Sequence, residues 1–331
     1  MGEPSIITRE SARSRGLSDR EIRRLVDSGT WVRVIRGVYV PRSAYTALDV
    51  VERHRLLCEA TVSVGGDLVL SHVSAAILHG FTVWNVPLER AHVIRDKPTG
   101  NSISNSRIVH AGRLAPGDVT DLRGTAVTTP ARTVADLAAT LPFEQALVIG
   151  DHALRTAHLV PEDIAHALHP SHPGSRKACR VARFLEPGSE SVGESRSRAA
   201  FIREQLPLPV TQADVFDAAG NHLGRVDFLW KEDGVIGEFD GRIKYGRLVP
   251  EGSTPEDVLW AEKRREDALR AAGWQIVRWT WDDLSNTDEL TARIRAALLR
   301  GRQAAAPAGR VRYSGRQSSS SGIPGGVKPR T

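Results

Sequence analysis

Hydrophobic positions along this chain follow two rhythms, one helical and one strand-like, and the changes between them mark its segments. Between Gly16 and Gly29, the apolar residues Ile22, Leu25 and Val26 make one stripe. Ser18 and Glu21 stand at the spacing of a capping box, and Gly29 lies where a helix would stop. The spacing predicts a helix over about 19–27. The next run, WVRVIRGVYV, sets strand-forming residues on both sides of Gly37 and predicts a hairpin. With a short helix before them, these elements make residues 1–45 a small winged helix.

Residues 46–180 mix both rhythms and read as a middle α/β domain. Thr129-Pro130 opens a helix that places Val134, Leu137 and Ala138 on one side. His72 and His79 are two helical turns apart, about 10 Å, too far for both to bind one metal ion. They read as packing or hydrogen-bonding residues. Residues 168–190 combine turn formers with basic residues and read as a linker.

The clearest alternation runs through HLGRVDFLW, KEDG and VIGEFDG. Asp233-Gly234 predicts the turn, and a loop over 231–234 pairs Trp230 with Val235. Asp227 then faces Glu238, while Asp240 projects from the same side beside Arg225. Val226, Phe228, Trp230, Val235 and Phe239 form the opposite, apolar side. Opposed carboxylates disfavour pairing unless a cation sits between them, so Asp227, Glu238 and Asp240 are candidate ligands for Mg²⁺ or Mn²⁺. A solvated polar face with Arg225 as counter-ion is the alternative. A helix carrying Glu190, Glu194 and Arg198 precedes the hairpin; another runs from Pro255 towards Gly273, before the strand-like WQIVRW.

Charge changes this picture at two places. The net charge is +6, and residues 301–331 supply all of it through Arg302, Arg310, Arg312, Arg316, Lys328 and Arg330. That stretch is rich in Gly, Ser, Pro and Ala and predicts a disordered basic tail. Residues 1–42 hold nine arginines against five acids, a local excess within an otherwise neutral chain. Arg20, Arg23 and Arg24 on the helix, with Arg33 and Arg36 in the hairpin, are candidate DNA contacts; a solvated face is the alternative. Cys58 and Cys179 have no metal-binding spacing and read as reduced thiols. No apolar run approaches the roughly 20 residues of a membrane span, and no signal peptide is evident. A cytoplasmic protein without a membrane partner or evident small-molecule cofactor is expected.

Two resemblances rest on these residues. Ile7 to Val40, centred on GLSDREIRRLVDSGTWVRVIRGVYV, resembles the N-terminal domain of AbiEi-type antitoxins of type IV toxin–antitoxin systems. LSHVSAAILHGF and TAVTTPARTVADLAA resemble segments that recur downstream in such relatives. This resemblance implies a winged-helix DNA binder, an autorepressor, with a cognate toxin as a possible partner. The order helix, hairpin, helix, strand, helix, with EFDG and EKRREDALRAAGWQIVRW, resembles Vsr-like domains of the PD-(D/E)XK endonuclease superfamily.

The second resemblance implies metal-binding roles for Asp227 and Glu238 and a supporting role for Glu194. Asp240 stands where the superfamily has a lysine, leaving Lys244 or Lys263 as candidates for that charge. Glu262, Arg265 and Arg278 match recurring positions, with a solvated ion-paired helix face as the alternative for Glu262 and Arg265. The expected fold is a multi-domain α/β (α+β) chain. It comprises a winged helix at 1–45, the middle α/β domain at 46–180, a restriction-endonuclease-like domain at 187–300 with a mixed sheet between helices, and the tail at 301–331. The expected function is a Mg²⁺-dependent DNA endonuclease, with a non-enzymatic regulator or antitoxin built on a degenerate nuclease fold as the alternative.

Overall fold

Side-chain caps decide where the first helices begin. In the computed structural model, which describes residues 6–66, 68–97, 99–168, 173–241 and 254–313, strand β1 (Ile7–Thr8) leads into α1 (Arg9–Ser14), whose first turn is capped by Thr8. Ser18 and Glu21 form the expected reciprocal box at the start of α2 (Asp19–Asp27). Gly29 follows with φ +74°, the left-handed conformation that closes a helix at little cost to glycine. The hairpin β2 (Trp31–Ile35) and β3 (Val38–Pro41) completes a three-stranded sheet in the order β1-β3-β2.

The chain divides into two compact units, 1–199 and 200–331. The segments expected as 1–45 and 46–180 therefore share one unit. After α3 (Arg42–Thr46), α4 (Val50–Ser63) contributes Leu57 and Cys58 to a buried cluster against which Val34 and Ile35 of β2 also pack. The same cluster takes Leu70 from β4 (Val69–Leu70). Past α5 (His72–Leu78), it takes Ala91 and Val93 from β5 (Ala91–Asp96). Beyond β6 (Ser102–Ile103), Val109 of β7 (Arg107–Gly112) joins them. The last members, β8 (Val119–Leu122) and β9 (Thr125–Thr128), complete a mixed sheet in the order β6-β7-β5-β4-β9-β8.

Helix α6 (Pro130–Thr140) opens at proline, as expected, and is buried along most of its length. Arg132 lies beneath the surface of the unit, 2.9 Å from Asp136 and 2.5 Å from Asp118, and ties the sheet's last hairpin to the helix. Helices α7 (Phe143–Thr156) and α8 (Pro161–Ala167) follow. The expected linker is instead structured in part: α9 (Ser175–Ala182) buries Ala178, Val181 and Ala182, and Lys177 donates to the carbonyl of Thr140 at the end of α6. The apolar positions 178, 181 and 182 recur at helical spacing, which the neighbouring turn formers obscure in the sequence.

The boundary between the units falls within α10 (Val192–Arg203). In the second unit, β10 (Val210–Phe216), β11 (His222–Trp230) and β12 (Val235–Phe239) form an antiparallel run. Helix α11 (Pro255–Ala271) then crosses to β13 (Gln275–Trp279), which pairs parallel to β12. Two further helices, α12 (Trp281–Ser285) and α13 (Thr287–Gln303), precede β14 (Arg310–Tyr313). The sheet is mixed, in the order β13-β12-β11-β10-β14. Its one face packs Phe228, Trp230, Val235, Phe239 and Trp279 against Ile294 and Leu298 of α13. The other face packs Leu229, Ile236 and Ala213 with Leu269 of α11.

These features confirm the expected mixed α/β class and correct two details. Residues 301–313 are not a free tail: α13 extends to Gln303 and β14 pairs with β10. There Arg312 contacts Asp214 and Arg302 contacts Asp233, so sheet pairing and ion pairs order residues whose composition is otherwise that of a loose chain. Residues 314–331 lie outside the described residues. Val226 belongs with Leu229 and Ile236 on the α11 side rather than with Phe228 and Trp230. No helix among the described residues is long and apolar enough to cross a membrane.

Candidate functional site

Five arginines of the first segment are solvent-exposed: Arg20, Arg23 and Arg24 on α2, and Arg33 and Arg36 in the hairpin. Ile22 turns inward at 3% exposure, so the amphipathic spacing holds the arginines outward. The two helices are joined by Arg9 and Asp19, 2.5 Å apart, and the neighbouring guanidinium holds the Asp19 carboxyl below its ordinary range. Gly37, with φ +85°, makes the turn of the β2–β3 hairpin.

In the second unit the hairpin register is the expected one next to the turn, where Trp230 pairs with Val235, Leu229 with Ile236 and Phe228 with Gly237; the expected pairing of Asp227 with Glu238 is not among these ladder pairs, and the alternation of faces breaks at Asp227. Around Asp227 the side chain takes over backbone partners. Its carboxylate accepts from the Phe239 N–H at 3.0 Å and from Gln212 Nε2 at 3.4 Å. Gln212 has φ +53°, and its amide oxygen accepts from Arg225 at 2.6 Å. Arg225 thus reaches Gln212 of β10. The backbone N–H of Asp240 donates to Trp279.

Glu238 is buried, at 8% exposure, and meets two guanidinium groups. Arg265 of α11 reaches it at 2.7 Å and Arg278, its neighbour across the parallel pair, at 3.0 Å. Glu262 bridges the same two arginines at 2.9 and 2.5 Å, and Glu266 reaches Arg278 at 3.2 Å. Burial raises the Glu238 carboxyl above its ordinary range, opposed by Arg265 and Arg278; the hydrogen bond from Arg265 lowers that of Glu262. Gly224 makes room for this arrangement. A Cβ there would lie 3.0 Å from the Arg265 side chain, whose guanidinium also donates to the Arg225 carbonyl.

Among the described residues, Asp227, Glu238 and Asp240 do not form a group whose ligand atoms all lie within 4.8 Å. The charge of Glu238 is answered by the two guanidinium groups of Arg265 and Arg278. Glu194 accepts from the Glu190 N–H at 2.9 Å and from Ser191 Oγ at 2.7 Å, and so caps α10. Arg198 does not pair with Glu194 one turn away; it reaches the fully buried Asp151 at 3.0 Å. Lys263 places its ammonium 5.3 Å over the Trp260 ring, and Lys244 lies outside the described residues.

A third group escaped the sequence analysis. His72, His92 and His110 each bring a ring nitrogen within 4.8 Å of the others. His92 and His110 stand on adjacent parallel strands, where Ile94 is paired with His110, and their Nδ1 and Nε2 are 3.0 Å apart. His72 stacks on His110 at a centroid distance of 3.6 Å. Burial and His110 push the His92 ring down to about 3, so it is neutral. The parallel register of β5 and β7 made the group, and no local spacing announces it. His79, as expected, makes a hydrogen bond, to the Thr128 carbonyl at 2.7 Å. Cys58 is buried, and its thiol is pushed up to about 12, consistent with an inert thiol.

The first segment thus has the helix, capped helix and arginine-bearing wing of an AbiEi-antitoxin-like domain, and residues 2–42 match the family described as "Transcriptional regulator, AbiEi antitoxin". The chain as a whole belongs to the family of the Mycobacterium tuberculosis protein named "Uncharacterized protein Rv2248". It is 30% identical to that protein over 288 residues, covering 84% of this chain and 96% of the relative. "Uncharacterized protein MT2308", from another strain of the same organism, matches to the same extent, 30% over 288 residues. Among solved structures, the M. tuberculosis protein RV2827C is 14% identical with a TM-score of 0.38, over 63% of this chain and 79% of that one.

Proposed function

We propose that the protein is a DNA-binding transcriptional regulator of the antitoxin type, whose second unit is a nuclease-like fold without nuclease activity. The observation that carries this reading is the outward arginine face of the capped helix α2 and its wing, within the segment that matches the AbiEi antitoxin regulators. Such a helix enters the major groove while arginines of the helix and wing neutralise phosphates. A cognate toxin is the expected protein partner. The non-enzymatic reading of the second unit is supported by Glu238, whose charge is answered by Arg265 and Arg278.

Binding to duplex DNA from the protein's own promoter, measured across salt concentrations, tests the first part. The triple variant Arg20→Ala/Arg23→Ala/Arg24→Ala should lose at least tenfold in affinity. Its log K against log salt slope should flatten by about 0.9 for each phosphate that is no longer neutralised. Equal binding by the folded variant would remove the basis for this face. Point substitutions are preferable to deleting the segment, because Val34 and Ile35 pack against the core of the first unit. Incubation with DNA and RNA in Mg²⁺ or Mn²⁺, beside an Asp227→Ala/Glu238→Ala variant, tests the second part. Cleavage by the wild type that the variant lacks would restore the metal-dependent nuclease, with Asp227, Glu238 and Asp240 as its ligands.

A further inference from the structure

We propose that His72, His92 and His110 form a binding site for a divalent transition-metal ion of the imidazole-preferring class, with Zn²⁺ as the reference ion. Three neutral imidazoles are the donor set of open zinc sites, in which water or a ligand takes the fourth position. Zn–N bonds of about 2.0–2.1 Å in a tetrahedron place ligand nitrogens about 3.3 Å apart. The His92 and His110 nitrogens are already 3.0 Å apart, and all three ligand atoms lie within 4.8 Å. His72 is stacked on His110 at an interplanar angle of 15°, so its ring must turn for the third lone pair to converge on the ion, a rotation about the soft outer torsion of a histidine side chain.

The main chain of His92 is pinned by hydrogen bonds on both sides, and the His72 ring has a contact of the kind that orients metal ligands. The N–H of Ser71 donates to the His92 carbonyl at 3.0 Å, and the His92 N–H donates to Ser74 Oγ at 2.7 Å. His54 fixes Ser74 in turn: its Nε2 is 2.9 Å from Ser74 Oγ and its Nδ1 is 2.8 Å from the Leu88 carbonyl. His72 Nδ1 lies 3.0 Å from Ser71 Oγ. His72 is also in the left-handed region, with φ +50°, although it is not a glycine. A non-glycine residue held in that conformation is strained, and the strain persists where the surroundings impose it. Here it brings the first ring of α5 onto the β5–β7 pair.

Occupation by the ion replaces the hydrogen bond between His92 Nδ1 and His110 Nε2. Each neutral ring keeps its single hydrogen on the nitrogen away from the metal, so the rearrangement is a tautomer shift and needs no other reactant. His92 and His110 are only half-buried, which gives the ion a route in. Because the ligands come from α5, β5 and β7, binding ties the helix to the sheet and stabilises the first unit.

The test uses the full chain without an affinity tag, titrated with Co²⁺ and Zn²⁺ separately. One equivalent of Co²⁺ should give the visible absorption of a tetrahedral nitrogen site, Zn²⁺ should displace it, and Zn²⁺ should raise Tm by several degrees. His110→Gln and His92→Gln should each lower metal affinity at least 100-fold, while His79→Gln, outside the group, should bind as the wild type does. Circular dichroism of each variant shows that it is folded. Failure of the wild type to take up one equivalent, or folded His110→Gln and His92→Gln variants that bind as tightly as the wild type, would overturn the site and leave the three rings as a packing cluster.

Discussion

A cluster of polar side chains stands out in each unit, and the two are assembled in the same way but balanced differently. In both, a parallel strand pair supplies two members and a helix supplies another: β5, β7 and α5 bring His92, His110 and His72 together, while β12, β13 and α11 bring Glu238, Arg278 and Arg265. The second cluster contains both signs of charge and closes on itself. The first contains three groups of one kind, with His92 hydrogen-bonded to His110. A cation has something to offer the histidines and little to offer Glu238, whose two arginines already supply positive charge. Similar backbone geometry can therefore build a salt-bridge core or a proposed ion site, according to which side chains meet on it.

Predictions sharpen this contrast, beginning with the largest. Arg132→Ala strands the Asp118 and Asp136 carboxylates beneath the surface of the first unit and should cost about 3–5 kcal/mol there. Hydrogen exchange resolved along the chain should show the loss in 1–199 and leave 200–313 protected. A cost below about 1 kcal/mol would place this pair with ordinary surface ion pairs. Arg265→Ala leaves Glu238 with Arg278 alone and should cost the second unit about 1–3 kcal/mol by urea denaturation. Arg265→Lys should recover only part, since an ammonium cannot serve Glu238, Glu262 and the Arg225 carbonyl with a planar fork. Ser18→Ala removes one half of the α2 capping box; a loss of about 1 kcal/mol, confined to amides of α2, is expected.

The gentlest test is pH. Burial lowers the pKa of His54, His79 and His152 in the first unit, so the unfolded chain takes up protons there more readily than the folded one. Their contribution is complete above the ordinary histidine value of 6.5 and is lost as the pH falls below it. In the second unit Glu262 and Asp283 are lowered; their contribution holds above the ordinary carboxylate range and is lost only below it. Asp151 in the first unit and Glu238 in the second are raised, so the burial of each costs stability at neutral pH and that cost is relieved on acidification. Between about pH 6.5 and 4.5 the first unit should weaken while the second holds. Urea midpoints from histidine proton signals and from tryptophan emission, to which the second unit contributes five of seven tryptophans, measure the two separately. Midpoints that fall together would remove the distinction.

Much of the fold was legible because it is encoded locally. The capping box at Ser18 and Glu21, the proline at the head of α6, and the Asp233-Gly234 turn each act over four residues or fewer, and each lies where the sequence places it. The register of the β11–β12 hairpin follows from the turn alone. Asp227 and Glu238 were legible as positions, but not as a site, because α11 and β13 arrive from tens of residues away with Arg265 and Arg278. Residues 301–313 are ordered for the same reason: nothing near Arg310–Tyr313 announces a strand, and its pairing partner is β10, almost a hundred residues earlier.

By itself, the sequence determined the amphipathic spacing, the caps and turns, the arginine excess of the first segment, and hence the AbiEi-like helix and wing. Only the tertiary structure decided which polar groups share a site. Side-chain period and capping are properties of neighbouring residues, whereas the neutralisation of Glu238 and the meeting of His72, His92 and His110 depend on strand order and crossover connections. The three histidines alone stand 18 to 38 positions apart in the chain, beyond the reach of any local pattern.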